Sequence, residues 1–255
     1  MKKPLILITN DDGYTAPGIT LLAEIAQEFG DVVVIAPDGP QSGQSSALTV
    51  TVPLRVILKD SRPGYKLYKT NGKPADCIKV GLNKILGQKP DLILSGINHG
   101  SNASLNVIYS GTMGAALEGA IVGIPAIGFS ITTHSWEADF TEGIPYIKKI
   151  IEEVVENSLP EGVCLNVNLP ENDISGIKVC RQSRGIWHKE FIENIDPRGQ
   201  EYFWLTGKYL NTEPESTDTD IWALDNGYVS IVPTRCDLTD YAYLEELNKN
   251  YENEG

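Results

Sequence analysis

The chain has 255 residues, of which 41% are hydrophobic, and a net charge of −13. This composition suits one large α/β domain, or a core with an elaboration, and excludes a disordered or repeat protein. The charge is uneven, with 17 basic and 19 acidic side chains in residues 1–189 but 4 and 15 in residues 190–255, which argues against long nucleic acid as a partner.

The apolar runs are strand-length, short of the ~20 residues that span a bilayer, so no membrane contact is expected. MKKPLILIT has five apolar residues before an acidic pair, too few for a signal-peptide core of about 7–15. Cys77, Cys164, Cys180 and Cys236 form no C-x-x-C pair and are expected to be reduced, in a cytoplasmic protein.

In chain order, LILIT (5–9) and DVVVIAP (31–37) are runs of the kind buried in parallel sheets. Between them Leu22, Ile25, Ala26 and Phe29 recur at helical spacing behind Pro17, a residue suited to a first helical turn. The segment reads as a right-handed βαβ unit. PADCIKVGLNKIL (74–86) predicts a helix with Ile78, Leu82 and Ile85 on one face, and DLILSG (91–96) a third buried strand. SGTMGAALEGAIVG (110–123) predicts a small-residue helix, IPAIGFS (124–130) a strand, 140–156 a helix and VCLNVNLP (163–170) another strand.

Beyond Ile177, KVCRQSRGIW, QEYFWLTG and GYVSIVPT suggest β-hairpins or an extended arm around an acidic loop at 211–220. LTDYAYLEELNKNY (238–251) predicts a terminal helix capped by Thr239 or Asp240. The expected fold is α/β: a doubly wound, mostly parallel Rossmann-like core over 1–176, then a C-terminal extension of hairpins and helix over 177–255.

In open parallel sheets, ligands bind where loops leave the carboxyl ends of the strands. The first strand ends in Asn10, Asp11, Asp12 and Gly13, and the second in a loop holding Asp38, Ser42, Gly43, Ser45 and Ser46. The third ends in Ser95, Asn98 and Asn102, before a helix that starts at Ser110, Gly111 and Thr112. Adjacent carboxylates beside a hydrophobic sheet repel and lose hydration. A hard divalent cation such as Mg²⁺ or Mn²⁺, bound by carboxylate, amide and hydroxyl oxygens, would stabilise both. Gly13 permits the turn that lets neighbouring side chains share an ion. The helix start suits a phosphate, and metal plus phosphate cradle implies phosphoryl transfer to a metal-oriented water.

His99, His134 and His188 have no H-E-x-x-H spacing, so a zinc site is not expected, and only its place beside Asn98 suggests that His99 contacts substrate. A receiver domain would need an Asp at the end of the third strand, where this chain has Ser-Gly-Ile-Asn. A dinucleotide oxidoreductase would need G-x-G-x-x-G where it has NDDGYTAPG. A non-catalytic metal- or nucleotide-binding module on the same fold remains the alternative to an enzyme.

TNDDGYTAPG, APDGPQSGQSS, TNGKPADCIKVGL, SGINHGSN, VIYSGTMGAALEGA and RQSRGIW, in that order over roughly residues 4–235, resemble the SurE family of metal-dependent 5′/3′-nucleotidases. The resemblance implies a nucleoside-monophosphate phosphohydrolase with one divalent cation per subunit, Mg²⁺ or Mn²⁺. It implies Asp11, Asp12, Ser42 and Asn98 as metal ligands, and Asp11, Asp12 and Asn98 as the catalytic set. Gly43, Asn98, Ser110, Gly111 and Thr112 would bind the phosphate, with Asn10 supporting the acidic pair and Asn102 lining the site. The same resemblance implies that the extension is an arm exchanged between subunits of a homodimer or homotetramer.

Overall fold

The computed structural model describes residues 3–251. In chain order the elements are β1 (Leu5–Thr9), α1 (Pro17–Ala26), β2 (Asp31–Pro37), β3 (Val56–Arg62), β4 (Tyr65–Thr70), α2 (Pro74–Val80) and a π turn (Gly81–Ile85). Then come β5 (Leu92–His99), α3 (Asn106–Tyr109), α4 (Gly111–Ile121), β6 (Ala126–Ile131), α5 (Ile144–Asn157) and β7 (Val163–Leu169). The remainder is β8 (Gly176–Val179), β9 (Gly185–His188), β10 (Phe191–Ile195), β11 (Glu201–Leu205), β12 (Lys208–Asn211), α6 (Asp220–Asp225), β13 (Tyr228–Arg235) and α7 (Tyr241–Tyr251).

Among the described residues nine strands form the main sheet, in the order β3-β4-β2-β1-β5-β6-β7-β13-β8. From β4 to β7 every pairing is parallel, so the expected mostly parallel α/β architecture is present. Alternation along β1 divides its side chains between two cores. Ile6 and Ile8 pack with α1 and α5, whereas Leu5 and Leu7 pack with α2 and α4. Each fully buried aliphatic there contributes roughly 1.5–3 kcal/mol. With β1 between β2 and β5, the loops that leave these three strands open side by side.

Several elements depart from the sequence expectation. The β3–β4 hairpin adds two strands from a polar stretch with no buried face in β3, as suits a charged sheet edge. The third strand runs on to His99 through a bulge between Ser95 and Asn98. The helix expected over 74–86 becomes a π turn at Gly81, whose missing side chain makes room for Leu7 and Ile35. The boundary expected after residue 176 does not coincide with the sheet edge. β13 pairs antiparallel with β7, and β8 parallel with β13, because the buried edge of β7 needs a partner. Within the extension, β9–β12 and β10–β11 are separate two-stranded sheets. The terminal helix starts at Tyr241, where Asp240 Oδ1 accepts the Tyr243 N–H at 3.0 Å.

Gly18 sets how closely α1 approaches the site strand. A Cβ there would lie 2.1 Å from Ile97 O, so Gly18→Ala is expected to destabilise the fold by about 1–3 kcal/mol. Urea unfolding should show a lower midpoint with an unchanged slope.

Candidate active site

The turn after β1 is built by its own residues. Gly13 adopts φ +103°, where a side chain would be strained. The buried Asn10 closes the turn, donating from Nδ2 to Gly13 O at 3.0 Å and accepting the Gly13 N–H on Oδ1 at 3.2 Å. Asp11 and Asp12 are thereby carried out of strand geometry and held by different elements.

Thr112 Oγ1 donates to Asp11 Oδ1 at 2.6 Å. The absence of a side chain at Gly111 lets the start of α4 abut Asp11, since a Cβ there would sit 3.0 Å from Asp11 Cβ. Asp12 turns to the end of β5, where its Oδ2 accepts the His99 backbone N–H at 3.2 Å and lies 2.9 Å from His99 Nδ1. Burial pushes the Asp11 carboxyl up to about 6; the Thr112 hydroxyl opposes the rise and the Asp12 charge adds to it. Among the described residues, no lysine or arginine forms an ion pair with either carboxylate.

The loop after β2 folds over the same point. Gln41 N–H donates to Asp11 O at 2.7 Å. Ser45 N–H donates to Tyr109 O at 3.0 Å and Ser45 Oγ to Ile108 O at 2.7 Å. These bonds hold Ser42 and Gly43, at φ +71°, against a cavity of about 580 Å³. Asp11, Ser42, Gly43, Asn98, Asn102 and Ser110 all line it. Asn10, Asp12, Gly111 and Thr112 are not among its lining residues and shape it from behind. The Asn98 amide donates to Gly100 O at 2.6 Å, and Ser110 Oγ caps α4 by accepting the Met113 N–H at 3.0 Å.

Asn102 is also an anchor. Its N–H donates to Asn168 Oδ1 at 2.7 Å and its Nδ2 to Ser130 Oγ at 2.8 Å, while Asn166 Nδ2 donates to Asn102 O at 2.9 Å. The signal for this network lay in VNVN-like spacing within VCLNVNLP: two amides on one face of a buried strand require buried partners.

The structure gives His99 a place that its sequence position did not. It is 9% exposed, stacks on Trp136 with centroids 5.1 Å apart, and meets Phe140 edge-on. His134 lines the cavity and His188 does not. Among the described residues, no three of His, Cys, Asp or Glu cluster to hold a metal ion by themselves. Two carboxylates with hydroxyl and amide oxygens instead suit a hard cation, whose charge would offset what burial does to Asp11. Trp187, Glu190, Leu205 and Thr206 of the extension also line the cavity. A second cavity, of about 470 Å³ at the amino ends of β6 and β7, carries none of these groups.

Asp11→Asn keeps an acceptor for Thr112 and removes a buried charge. In chelator near pH 8, where a carboxyl raised to about 6 is charged, calorimetry should show a Tm higher by about 2–4 °C.

A protein-family model described as "Survival protein SurE" matches residues 6–189. The chain is 53% identical over 253 residues to the 5′-nucleotidase SurE of Christiangramia forsetii, spanning 97% of this chain and 96% of that one. It is 50% identical over 252 residues to the 5′-nucleotidase SurE of Flavobacterium psychrophilum, spanning 97% and 98%. It also superposes on the crystal structure of the SurE protein from Aquifex aeolicus with a TM-score of 0.83 and 38% identity, over 97% of this chain and 99% of that one.

Proposed function

The chain belongs to the SurE family, and on that premise we propose that it hydrolyses the phosphomonoester of nucleoside 5′-monophosphates, and of 3′-monophosphates. One divalent cation per subunit, Mg²⁺ or Mn²⁺, would be held by Asp11, Asp12, Ser42 and Asn98. The observation that carries this reading is convergence: oxygen ligands from the ends of β1, β2 and β5 meet the start of α4 around one cavity.

A cation held there supplies Lewis acidity and charge neutralisation for a phosphate dianion. The chain's own residues supply the rest. Ser110, Gly111 and Thr112 bring the amino end of an 11-residue helix to the cavity, where free N–H groups and the helix dipole favour an anion. Gly43 and the Asn98 amide complete the phosphate cradle, and Asn10 and Asn102 hold the two loops in place. Attack of water forms one P–O bond as the ester P–O bond breaks. One water proton passes to a carboxylate of the pair, which returns it to the departing ribose oxygen, so the nucleoside leaves as its alcohol.

His99 positions Asp12 by holding one of its oxygens from both ring and backbone. Such partners typically change metal affinity about 10–100-fold. His99→Ala is therefore expected to weaken Mn²⁺ binding by about tenfold in calorimetry. For the reaction itself, stripped protein should release no phosphate from nucleoside monophosphates and should recover on addition of Mg²⁺ or Mn²⁺. Asp12→Asn should lose at least about 10²-fold in kcat with metal present. Binding of nucleotide without release under any metal would establish the binding-module alternative.

We assign association into a homodimer or homotetramer to the extension over 177–255. This is supported by β10–β11, a lone pair of strands that exposes Phe191, Ile192, Phe203, Trp204 and Leu205. A two-stranded hairpin is marginal by itself, and a patch of this kind marks an interaction surface. Trp204→Glu should shift the mass measured by light scattering towards monomer. Among the described residues no helix is long and apolar enough to cross a membrane, and we assign the enzyme to the cytoplasm.

A further inference from the structure

One buried carboxylate joins the loop after β5 to the base of the extension. Asp220, the first residue of α6, is fully buried, and no ion pair among the described residues includes it. Its Oδ1 accepts the N–H groups of Ser183 at 2.9 Å and Ile221 at 2.8 Å, and its Oδ2 accepts that of Ser104 at 2.7 Å. Ser104, at φ +54°, continues the loop whose Ser101 and Asn102 line the cavity. Its hydroxyl donates to Ser183 O at 2.9 Å and lies 2.7 Å from the Tyr209 hydroxyl.

Tyr209 sits directly opposite Trp187 in the β9–β12 ladder. The two rings meet edge to face, with centroids 6.1 Å apart at 71°. Trp187 in turn lines the cavity that also holds Asp11, Ser42 and Ser110. A continuous set of contacts thus runs from Asp220 through Ser104 and Tyr209 to a half-buried indole that lines the same cavity. An indole face offers sequence-tolerant stacking to any flat heteroaromatic ring, and the cavity volume is in the range that takes a small ligand.

We infer that Trp187 is the wall on which the nucleobase stacks and that Asp220 is a positioning residue for that wall. This rests on the nucleotidase reading above and deepens it, because it gives the extension a part in substrate discrimination as well as in association. The three donors around Asp220 make its role chemically specific. An Asn side chain there would keep its oxygen towards Ser183 and Ile221 and turn its NH₂ against the Ser104 N–H. The link lost would be the one to the site loop.

The test compares a purine nucleoside 5′-monophosphate with ribose 5-phosphate, which lacks the base, on Mn²⁺-loaded full-length protein. Ribose 5-phosphate is assayed both as substrate and as competitive inhibitor. Trp187→Ala should lower the nucleotide-to-ribose-phosphate ratio of kcat/KM about tenfold, through the KM of the nucleotide, and Trp187→Phe should restore most of it. Asp220→Asn should move the ratio in the same direction. Ser104→Ala and Tyr209→Phe, which remove only hydroxyls, should give smaller losses and keep the test open if Asp220→Asn does not fold.

An unchanged ratio in Trp187→Ala overturns the stacking wall. Equal losses on both ligands, or no change across the Asp220, Ser104 and Tyr209 variants, overturn the positioning role. Wild-type protein that releases no phosphate from any nucleotide refutes the nucleotidase reading instead. In that event the same ratio, read from dissociation constants by calorimetry, decides the inference.

Discussion

Two carboxylates on consecutive residues at the end of a buried strand impose the condition that the rest of the site meets. Left in strand geometry, Asp11 and Asp12 would point to opposite faces of the sheet; left without partners, burial would keep one of them protonated. The chain meets the first problem with Gly13 and the Asn10 clamp, which end the strand abruptly. It meets the second by handing Asp11 to Thr112 at the start of α4 and Asp12 to His99 at the end of β5. These partners reduce the cost for Asp11 without abolishing it, because its carboxyl stays raised to about 6. That remaining strain on the charged form is what a cation would relieve, so the binding energy of the ion and the awkwardness of the ion-free site have one origin.

Sheet order turns this local condition into a site. Because β1 lies between β2 and β5, the loops after all three strands open at one place, and α4 leads its amino end there. The small residues of α4 are part of the same design. Gly111 admits Asp11, and Gly114 admits the backbone of Ser45 and with it the loop that carries Ser42 and Gly43. The far wall belongs to another part of the chain, since Trp187, Glu190, Leu205 and Thr206 come from the extension. The cavity is therefore walled jointly by the core and by the extension.

Most of the central sheet was legible because its strands are continuous aliphatic runs and its helices keep a helical period. The convergence of oxygen-bearing residues in the candidate site was legible because they cluster at strand ends, where the fold class says ligands bind. What escaped the sequence was whatever lacked a periodic hydrophobic signal. β3 is an edge strand with no buried face and β4 beside it is only partly buried, and β13 and β8 join the sheet from a region whose composition marks it as separate. His99 offered no spacing to connect it with Asp12, because their contact spans 87 positions and is made by folding. Asp220 was hidden for the same reason: an acidic residue in an acidic loop reads as solvated until Ser104 and Ser183 are seen to surround it.

The pairing of β13 with β7 has a consequence for how the chain is made. Val167 lies opposite Ile231, so the strand that closes this side of the sheet is synthesised some sixty residues after the strand it covers. Until it emerges, β7 presents a largely buried, aliphatic strand with an open row of N–H and C=O groups, the kind of edge that recruits other chains. Contacts of such sequence separation form late and slowly. The sheet is thus completed only after β13, at Tyr228–Arg235, has been synthesised, and a chain that stops short of residue 228 would be an aggregation-prone fragment carrying all of its candidate site residues.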